Sequence, residues 1–378
     1  MIKVLHLITS VQLGGAEIIA FNLAEYCGIN QSEVIESVVA ELHHTNNNFA
    51  VEKKKQLAAK SIKTISLYNG AKKFSLLIAP LKLARYIKKT NPDIIHSHTD
   101  LPDFVLSITL RILPFLRAKV PKIVRTIHNT ELWSSHAQMG KFTETAFKND
   151  WIVGISNASM EAYKNLRTKN NLPQSIHQTI IYNGCKLPDR KEHPFKIDSS
   201  KINIAFCGRF ELQKGIDVFI ERIKEMKTLF NDKFLFHIIG SGTYYNELKL
   251  LSENNPNVLL YDAVVDIANK FYPFDFLILP SRFEGLCLVS LESSLAKTPV
   301  ILAIAPGLTE TVPADWPLQF HLENRNELFS ILEKIATNQY DREALKEQAY
   351  TFVSQNFSHQ KMIDNYSKLY ANISATEK

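Results

Sequence analysis

The sequence predicts an α/β protein made of two doubly wound, Rossmann-like domains. Short apolar runs alternate with helix-length amphipathic segments along most of the chain. The alternation stops once, near residues 185–200, and then resumes. At about 150 residues per domain, the 378 residues also predict two domains. Apolar runs with few alternating polar residues are typical of strands in a parallel sheet that is covered on both faces.

The first predicted domain spans residues 1–187. Its strands are predicted at 4–8, 34–42, 93–96, 122–127, 151–155 and 180–182. Its helices are predicted at 16–26, 74–89, 102–116 and 156–166. The first helix carries Ile19, Leu23 and Tyr26 on one face, which is the helical spacing of apolar residues. The pair Asn91-Pro92 ends the second.

A polar, turn-forming segment at residues 188–200 is predicted to be a linker. The second domain, 201–355, has strands predicted at 202–207, 234–239, 258–261, 276–279 and 299–303. A final helix at 356–378, after a break near Phe357-Ser358, is predicted to cross back to the first domain. In sheets of this kind the ligand binds at the carboxyl ends of the strands, so we expect a site in a cleft between the two domains.

The composition excludes several classes of protein. Apolar residues make up 45% and charged residues 22%, which is ordinary for a globular chain. Four cysteines without a Cys-x-x-Cys pair indicate reduced thiols and a poor set of zinc ligands. The N-terminal residues are not expected to be a signal peptide, and the longest apolar stretch, 104–116, is shorter than the ~18 residues that a membrane span needs. We therefore expect a cytoplasmic protein.

Positive charge is concentrated in the first half. Residues 1–189 have a balance of +9, whereas residues 190–378 have −3. The basic clusters indicate either solvated helix faces or a surface for an anionic partner, a membrane or a nucleic acid. Aromatic residues are not interleaved with these clusters as stacking platforms would be, so no nucleic acid is expected.

Glycine-rich turns follow one strand in each half. Gly14-Gly15 opens the first helix, and Gly240-Ser241-Gly242 follows the strand at 234–239. Paired glycines let the backbone approach a ligand, and a helix N-terminus favours an anion. Both turns lack the third glycine of the dinucleotide fingerprint, which counts against a dehydrogenase.

Two basic residues follow the strand at 202–207. Arg209 and Lys214 stand beside Gly208 and Gly215 at a strand-to-helix turn. If Arg209 and Lys214 were considered without their surroundings, they would be explained equally well as surface cations. At the carboxyl end of a strand, beside two glycines, they indicate a phosphate or diphosphate clamp.

Two carboxylates follow the strand at 276–279. Glu284 lies on a glycine-containing loop, and Glu292 lies in the apolar helix after it. A carboxylate among leucines costs solvation unless it has a partner. An internal hydrogen bond would satisfy it, but two carboxylates eight residues apart favour a hydroxyl-rich ligand.

Three histidines stand at strand ends of the first domain. His96 and His98 flank Ser97, and His128 ends the next strand. Single histidines at such places are usually structural, and three together favour a site. Zinc is the less favoured interpretation, because no cysteine or acidic ligand has matching spacing. No metal is expected.

Taken in order, these residues resemble the family-four retaining glycosyltransferases with the GT-B fold. The matching features are Gly14-Gly15-Ala16-Glu17, His96-Ser97-His98, Thr126-Ile127-His128, Ser156, Asn183-Gly184, Gly208-Arg209, Lys214-Gly215, Gly240-Ser241-Gly242, Glu284 with Glu292, Pro299-Val300-Ile301, Gly307 with Glu310, Phe357-Ser358 and Tyr366–Tyr370. Thr298 stands where the family usually has glycine before Pro-Val. The resemblance covers nearly the whole chain.

The resemblance implies the role of each second-domain residue. The substrate is a UDP- or GDP-linked sugar, and no cofactor is needed. Arg209 and Lys214 hold the diphosphate, with Gly208 and Gly240 nearby. Glu292 takes the ribose hydroxyls, and Glu284 holds the sugar together with the backbone amides of Gly285, Leu286 and Cys287.

The resemblance also implies roles in the first domain. Gly14 and Gly15 let it close over the phosphates, His128 contacts the sugar near the anomeric carbon, and His96 and His98 lie on the acceptor side. A hexose or N-acetylhexosamine moves with retention, without metal, to a lipid-linked glycan in cell-surface polysaccharide or lipopolysaccharide assembly. The basic first half then suits peripheral binding to the inner face of the membrane.

Other functions stay open at this point. A sugar-nucleotide epimerase of the same fold would act without an acceptor. A phosphorylase would need a pyridoxal-binding lysine and a longer chain. A non-catalytic glycosyltransferase-like scaffold would not need Arg209, Lys214, Glu284 and Glu292, all of which are present.

Overall fold

The structure is a computed structural model that describes residues 1–27, 34–70, 74–229 and 232–375. The chain divides into two compact units. The first comprises Met1–Asn183 together with Gln360–Lys378, and the second comprises Gly184–His359. Each unit is built on its own parallel sheet with helices on both faces, which confirms the predicted α/β class.

The first unit has a seven-stranded sheet in the order β3-β2-β1-β4-β5-β6-β7, in which every neighbouring pair is parallel. The strands are β1 (Ile2–Ile8), β2 (Ile35–Glu41), β3 (Lys63–Ser66), β4 (Ile94–Ser97), β5 (Lys122–Ile127), β6 (Trp151–Gly154) and β7 (His177–Ile180). The central strands are almost entirely buried, as their continuous apolar sequences predict.

Seven α-helices among the described residues cover this sheet. They are α1 (Gly15–Tyr26), α2 (Asn48–Ala59), α3 (Ser75–Thr90), α4 (Asp100–Ile112), α5 (Ala137–Glu144), α6 (Asn157–Lys169) and α12 (His359–Ala375). The C-terminal helix α12 packs with α1 on one face of the sheet, where Met362 and Tyr366 join the core that holds Val4, Ile19 and Leu23. Helices α3 and α4 pack on the opposite face.

The second unit has a six-stranded sheet in the order β10-β9-β8-β11-β12-β13, again wholly parallel. Its strands are β8 (Ile202–Arg209), β9 (Phe234–Ser241), β10 (Val258–Tyr261), β11 (Phe276–Leu279), β12 (Val300–Ala303) and β13 (Gln319–Phe320). Its helices are α7 (Ile216–Leu229), α8 (Tyr245–Asn254), α9 (Leu288–Leu295), α10 (Arg325–Ala336) and α11 (Arg342–Asn356).

The strand order reverses at the same point in both sheets. In the first unit the switch lies between β1 and β4, and in the second it lies between β8 and β11. Ligands of doubly wound sheets bind in the crevice at such a switch. Gly14-Gly15, His96, Arg209 and Glu284 follow these four strands or lie at their ends, whereas His128 follows β5 and Gly240 lies in β9.

The segment predicted as a linker packs on the second unit. Phe195 is only 6% exposed and belongs to that unit's core. The backbone N–H of Lys191 donates to the Asn269 carbonyl at 3.1 Å, and that of Lys196 donates to the Tyr261 hydroxyl at 3.0 Å. The polar composition of the segment therefore reflects surface packing along one unit.

Several basic residues of the first half form ion pairs with carboxylates inside the first unit. Arg125 is 1% exposed and binds three carboxylates, those of Asp103, Glu144 and Asp150. Other lysines of these clusters pair with nearby carboxylates. The apolar segment at 104–117 lies mostly in helix α4, whose residues there are buried or half-buried, whereas Phe115 in the following 3-10 turn is 89% exposed. Within the described ranges, every helix is too short or too polar to cross a membrane.

Candidate functional site

Arg209 is the last residue of β8, and its side chain is exposed. One guanidinium nitrogen donates to the Gln213 side-chain oxygen at 2.8 Å, and the Gln213 amide donates to the Phe283 carbonyl at 3.2 Å. This chain of bonds orients Arg209 against the loop after β11. In the part of the chain that the structure describes, the other guanidinium N–H groups make no bond, so they are available to an anion.

Lys214 and Glu284 form an ion pair next to Arg209. The Lys214 ammonium donates to a Glu284 oxygen at 2.6 Å, and the Ser281 hydroxyl donates to the same oxygen at 2.7 Å. Burial alone would lower the pKa of Lys214, but the charge of Glu284 outweighs it and raises the pKa. The ammonium is therefore charged, and one of its three N–H groups is used.

Arg282 holds the loop that carries Lys214, and the sequence argument missed it. Its guanidinium binds both oxygens of Asp217 at 2.7 and 2.8 Å, and it also donates to the Leu212 carbonyl at 2.7 Å. The backbone N–H of Arg282 donates to the Gln213 carbonyl. An acidic residue in the first turn of α7 and an arginine two residues before Glu284 were the available signals, but their pairing spans 65 residues.

Two glycines let the site loops approach each other closely. A Cβ on Gly215, whose φ is +64°, would lie 1.8 Å from the Pro280 carbonyl oxygen. A Cβ on Gly307, whose φ is +71°, would lie 2.0 Å from the Glu284 carbonyl oxygen. Only glycine fits both the space and the left-handed conformation at these positions. The backbone that carries Lys214 and Glu284 is thus fixed on both sides.

The Gly240-Ser241-Gly242 turn lies beside Gly208 in the sheet, because Gly208 and Gly240 are register partners of β8 and β9. The turn is tied back to β8 by Glu211, whose carboxylate accepts bonds from the backbone N–H and the hydroxyl of Thr243. Both predicted glycine positions therefore lie at the same edge of the sheet as Arg209.

Helix α9 begins directly after the Glu284 loop. Cys287 is its N-cap residue and provides no side-chain cap. Within the described residues, the backbone N–H groups of Leu286 and Cys287 make no hydrogen bond, and Gly285 precedes them. Uncapped amides at a helix N-terminus form a binding place for negatively charged oxygens. Burial raises the pKa of the Cys287 thiol to about 12, so the thiol is neutral there.

Glu292 lies one turn into α9 and is half-buried. Burial raises the pKa of its carboxyl group from 4.5 to about 7. Its carboxylate accepts no hydrogen bond from any residue that the structure describes. A half-buried carboxylate without an internal donor is what a hydroxyl-bearing ligand would complete. No described residue therefore provides the internal hydrogen bond that would explain Glu292 as a purely structural residue.

Gly14 and Gly15 begin α1, as predicted, but the helix N-terminus there is already occupied. The Glu17 side chain folds back so that a Cβ on Gly14 would lie 2.3 Å from one Glu17 oxygen. Gln12 donates to the other oxygen at 3.2 Å. Burial raises the pKa of Glu17, while its own backbone N–H and Gln12 favour the charged form. A phosphate at this turn would have to share it with a carboxylate.

His96 and His98 lie in the core of the first unit and are fully buried. The two His96 ring nitrogens lie 2.6 Å from the Tyr370 hydroxyl and 2.6 Å from the Thr126 hydroxyl. The His98 ring stacks on that of His96, with centroids 3.9 Å apart. Neither side chain presents a surface in this structure, and their predicted acceptor-side role stays a prediction. The sequence could not show this, because Tyr370 is 274 residues away.

His128 differs from them because it is half-buried. Its ring lies 5.8 Å from that of His98, and its Nε2 has no hydrogen-bond partner in the described protein. Burial lowers the pKa of His128 to about 3, so the ring is neutral at physiological pH. A neutral imidazole with a free nitrogen can donate or accept one hydrogen bond to a ligand.

In the second unit, the structure brings together Arg209, Lys214, Glu284 and the start of α9, with Glu292 one turn further along that helix. Two cations and a helix N-terminus bind phosphate oxygens, and two carboxylates bind hydroxyls. The arrangement suits a ligand that carries both phosphates and sugar hydroxyls. Ser281, Gln213 and Arg282 orient these groups.

Family models match both halves of the chain. Residues 13–186 match the model described as glycosyltransferase family 4, and residues 201–338 match the model described as glycosyl transferases group 1. The second match contains every residue of the second-unit site, and the first contains Gly14, Gly15 and the three histidines.

Individual relatives agree with these matches. A 41.2 kDa protein from the cps region of Klebsiella pneumoniae is 24% identical over 97% of this chain and 99% of its own. The Escherichia coli UDP-Gal:α-D-GlcNAc-diphosphoundecaprenol α-1,3-galactosyltransferase is 25% identical over 60% of this chain and 62% of its own. The crystal structure of Anabaena HepE in complex with UDP-glucose has a TM-score of 0.77 at 17% identity, covering 98% of this chain and 100% of that one. The chain belongs to the family-four, group 1 glycosyltransferases and has their GT-B α/β fold.

Proposed function

We propose that this glycosyltransferase moves a hexose or N-acetylhexosamine from a UDP- or GDP-linked sugar to a lipid-linked glycan, with retention of configuration. The product would enter cell-surface polysaccharide or lipopolysaccharide assembly. The observation that carries the proposal is the site in the second unit, where Arg209, Lys214, Glu284 and α9 meet. The UDP-glucose bound to the HepE structure and the lipid-diphosphate acceptor named for the E. coli relative support the two substrate classes.

In this proposal the donor is held by side chains and backbone amides of the second-unit site. Arg209 and the remaining Lys214 N–H groups bind the diphosphate, together with the amides of Leu286 and Cys287. Glu292 accepts the ribose hydroxyls, and Glu284 accepts a sugar hydroxyl. Each charge-assisted bond contributes about 1.5–3 kcal/mol.

Transfer breaks the bond between the anomeric carbon and the diphosphate oxygen and forms a bond from that carbon to an acceptor hydroxyl oxygen, whose proton goes to the leaving diphosphate. Negative charge develops on that diphosphate in the transition state. Arg209 and Lys214 are placed to stabilise that charge, so we propose that no metal is required. Removing one preorganised donor of this kind typically costs 10²–10³ in rate. His128, neutral and with a free nitrogen, is proposed to bind the sugar near the reacting carbon.

A product analysis tests this proposal. The enzyme is incubated with UDP- and GDP-sugars and a lipid-diphosphate-linked sugar acceptor, and the new linkage is read by NMR. We expect acceptor-dependent transfer, an α linkage from an α-linked donor, and loss of at least 100-fold in Glu284→Gln. A β linkage would refute retention. A free sugar that is an epimer of the donor sugar, formed without acceptor, would indicate an epimerase, and donor binding without turnover on any acceptor would indicate a scaffold.

We also propose that the first unit binds an anionic membrane surface. The exposed face of α3 carries Leu77, at 72% exposure, and Leu81, followed by Arg85 and Lys88. These positions repeat every three or four residues, so they form one stripe. The 3-10 turn that packs beside α3 presents Phe115, which is 89% exposed. Apolar side chains next to cations are the pattern of a peripheral membrane surface.

Vesicle flotation tests the membrane proposal separately. We expect binding to vesicles with anionic lipid at low salt and not to neutral vesicles. The variant Arg85→Ser/Lys88→Ser should lose most of this binding, whereas Lys249→Ser/Lys334→Ser, which removes two exposed lysines of the second unit, should not. Equal binding by the two variants would refute the assignment of this stripe.

A further inference from the structure

Three buried histidines of the first unit converge at the carboxyl ends of β1 and β4. His6 and His96 are register partners on these neighbouring strands, and His98 follows two residues after His96. Paired residues of a parallel sheet point to the same face, as do residues two apart on a strand. One nitrogen from each ring lies within 4.8 Å of one nitrogen from each of the others. We call these three residues the histidine cluster.

The rings of the histidine cluster are in the form that binds metals. Burial lowers the pKa of His6 to about 3. Burial, and then the neighbouring histidines, lower the pKa values of His96 and His98 well below the ordinary value. Neutral imidazole carries the free electron pair that a metal ion needs, and the proton in the His6–His98 hydrogen bond would move to the opposite nitrogen of its ring.

The hydrogen bonding of His6 and His98 is incomplete. His6 Nδ1 and His98 Nε2 lie 3.2 Å apart and share a single hydrogen bond. The second nitrogen of each ring, His6 Nε2 and His98 Nδ1, is buried and has no partner among the described residues. A metal ion held by the facing nitrogens, His6 Nδ1 and His98 Nε2, would replace their shared hydrogen bond. Each ring would then carry its N–H on the opposite nitrogen.

The distance between the facing nitrogens of His6 and His98 suits a tetrahedral zinc ion. Zinc–nitrogen bonds of about 2.0–2.1 Å place two ligand nitrogens roughly 3.3 Å apart. The His6–His98 pair already has this separation. His96 must give up one of its two bonds, to Thr126 or to Tyr370, and the bond it keeps would orient its ring.

We propose that His6, His96 and His98 bind one zinc ion, with a fourth position left open. Three imidazole ligands without a carboxylate or thiolate favour zinc over magnesium or calcium, which require oxygen ligands. The bound ion would cross-link β1 to β4 and, if His96 keeps its bond to Tyr370, would join both strands to α12. The ion has no role in sugar transfer in this proposal, which therefore stands or falls independently of the proposed function.

Zinc titration of the chelator-treated full chain, with a competing chromophoric chelator, tests the proposal. We expect one zinc ion per chain and a thermal midpoint that rises by about 5 °C at a hundredfold excess over the dissociation constant. His6→Asn and His98→Asn should each weaken binding at least tenfold. The control His136→Asn removes an exposed histidine of the same unit and should bind as the wild type does.

A measurement on the unsubstituted protein covers the case in which the core variants fail to fold. X-ray absorption at the zinc edge should show an imidazole shell, with nitrogens at about 2.0–2.1 Å. An all-oxygen shell, an unbound wild type, or equal binding by folded His6→Asn and by the wild type would each overturn the proposal. Donor binding, measured in the same samples, reports separately on the site in the second unit.

Discussion

The ion pair between Lys214 and Glu284 gives the most discriminating prediction. We expect Lys214→Met and Glu284→Gln each to destabilise the second unit, and the double variant to be more stable than the sum of the two losses implies. Each single change leaves the partner's charge poorly compensated, in side chains that are only 18% and 7% exposed. All three variants should lose catalytic activity, because both residues are proposed to bind the donor.

The expected losses of stability follow from the contacts that each substitution removes. Loss of a charged hydrogen bond at 2.6 Å in this partly buried setting costs about 2–3 kcal/mol for Lys214→Met. Glu284→Gln should cost less, about 1–2 kcal/mol, because the amide oxygen can still accept from Lys214 and Ser281. The coupling free energy between the two sites should then be about 1–2 kcal/mol.

The assay is urea unfolding of the four proteins, with hydrogen exchange in peptides from residues 202–226 and 276–295 reporting on the second unit. A matched control cycle uses the exposed pair of Lys346 and Glu343, whose side chains are 30% and 77% exposed. We expect a coupling below about 0.5 kcal/mol for that pair.

Two results would refute this reasoning. A Lys214–Glu284 coupling as small as that of the control pair would show that the two charges do not depend on each other. Activity in the double variant within tenfold of the wild type would show that neither residue acts on the donor. Charge pairing and donor binding are thus tested by separate readouts.

Three further predictions concern neighbouring residues. Between pH 4.5 and about 7 the folded chain keeps a proton on Glu292 that the unfolded chain has lost, so stability should fall as pH rises through this window, and Glu292→Gln should remove that fall in urea unfolding. Arg282→Ala should lower turnover about tenfold and stability by about 1 kcal/mol, because it frees Asp217 and the Lys214 turn, and Arg282→Lys should restore part of the turnover. Gly215→Ala should destabilise the second unit by about 3 kcal/mol or more in the same unfolding assay, because its Cβ would lie 1.8 Å from the Pro280 oxygen at a φ of +64°.

Each of these has a contradicting outcome. Unfolding of the wild type and of Glu292→Gln with the same pH dependence would mean that the carboxyl group is not buried as described. Full turnover by Arg282→Ala would mean that the loop holds its shape without the arginine. A Gly215→Ala protein as stable as the wild type would show that the turn relaxes away from Pro280.

The sequence located the buried strands well, because a continuous apolar run bounded by turn residues has few other interpretations. The predicted strands at 122–127, 258–261 and 276–279 have the observed bounds. Helix α2 was not predicted, because only Ala50 and Leu57 of its twelve residues are buried and the rest resembles a charged surface segment. The two-residue strand β13 is too short to leave a pattern.

The site could be predicted in part. Arg209, Lys214 and Glu284 stand directly after strands whose carboxyl ends meet at a switch point, so topology alone gathers them. The bonds of Arg282 join residues about 65 apart and leave no local signal. The burial of His96 depends on helix α12 near the far end of the chain, so its exposure could not be inferred from the strand end alone.

The central claim is that Arg209 and Lys214 form a metal-independent clamp on a nucleotide diphosphate sugar. Nucleotide release from UDP-, GDP-, ADP- and dTDP-sugars, measured with chelator present, tests it most directly. We expect the wild type to release nucleotide from one of these donors and Arg209→Ala/Lys214→Ala to lose at least 100-fold of that activity. Release that the double variant retains, or release that stops when chelator is added, would contradict the claim.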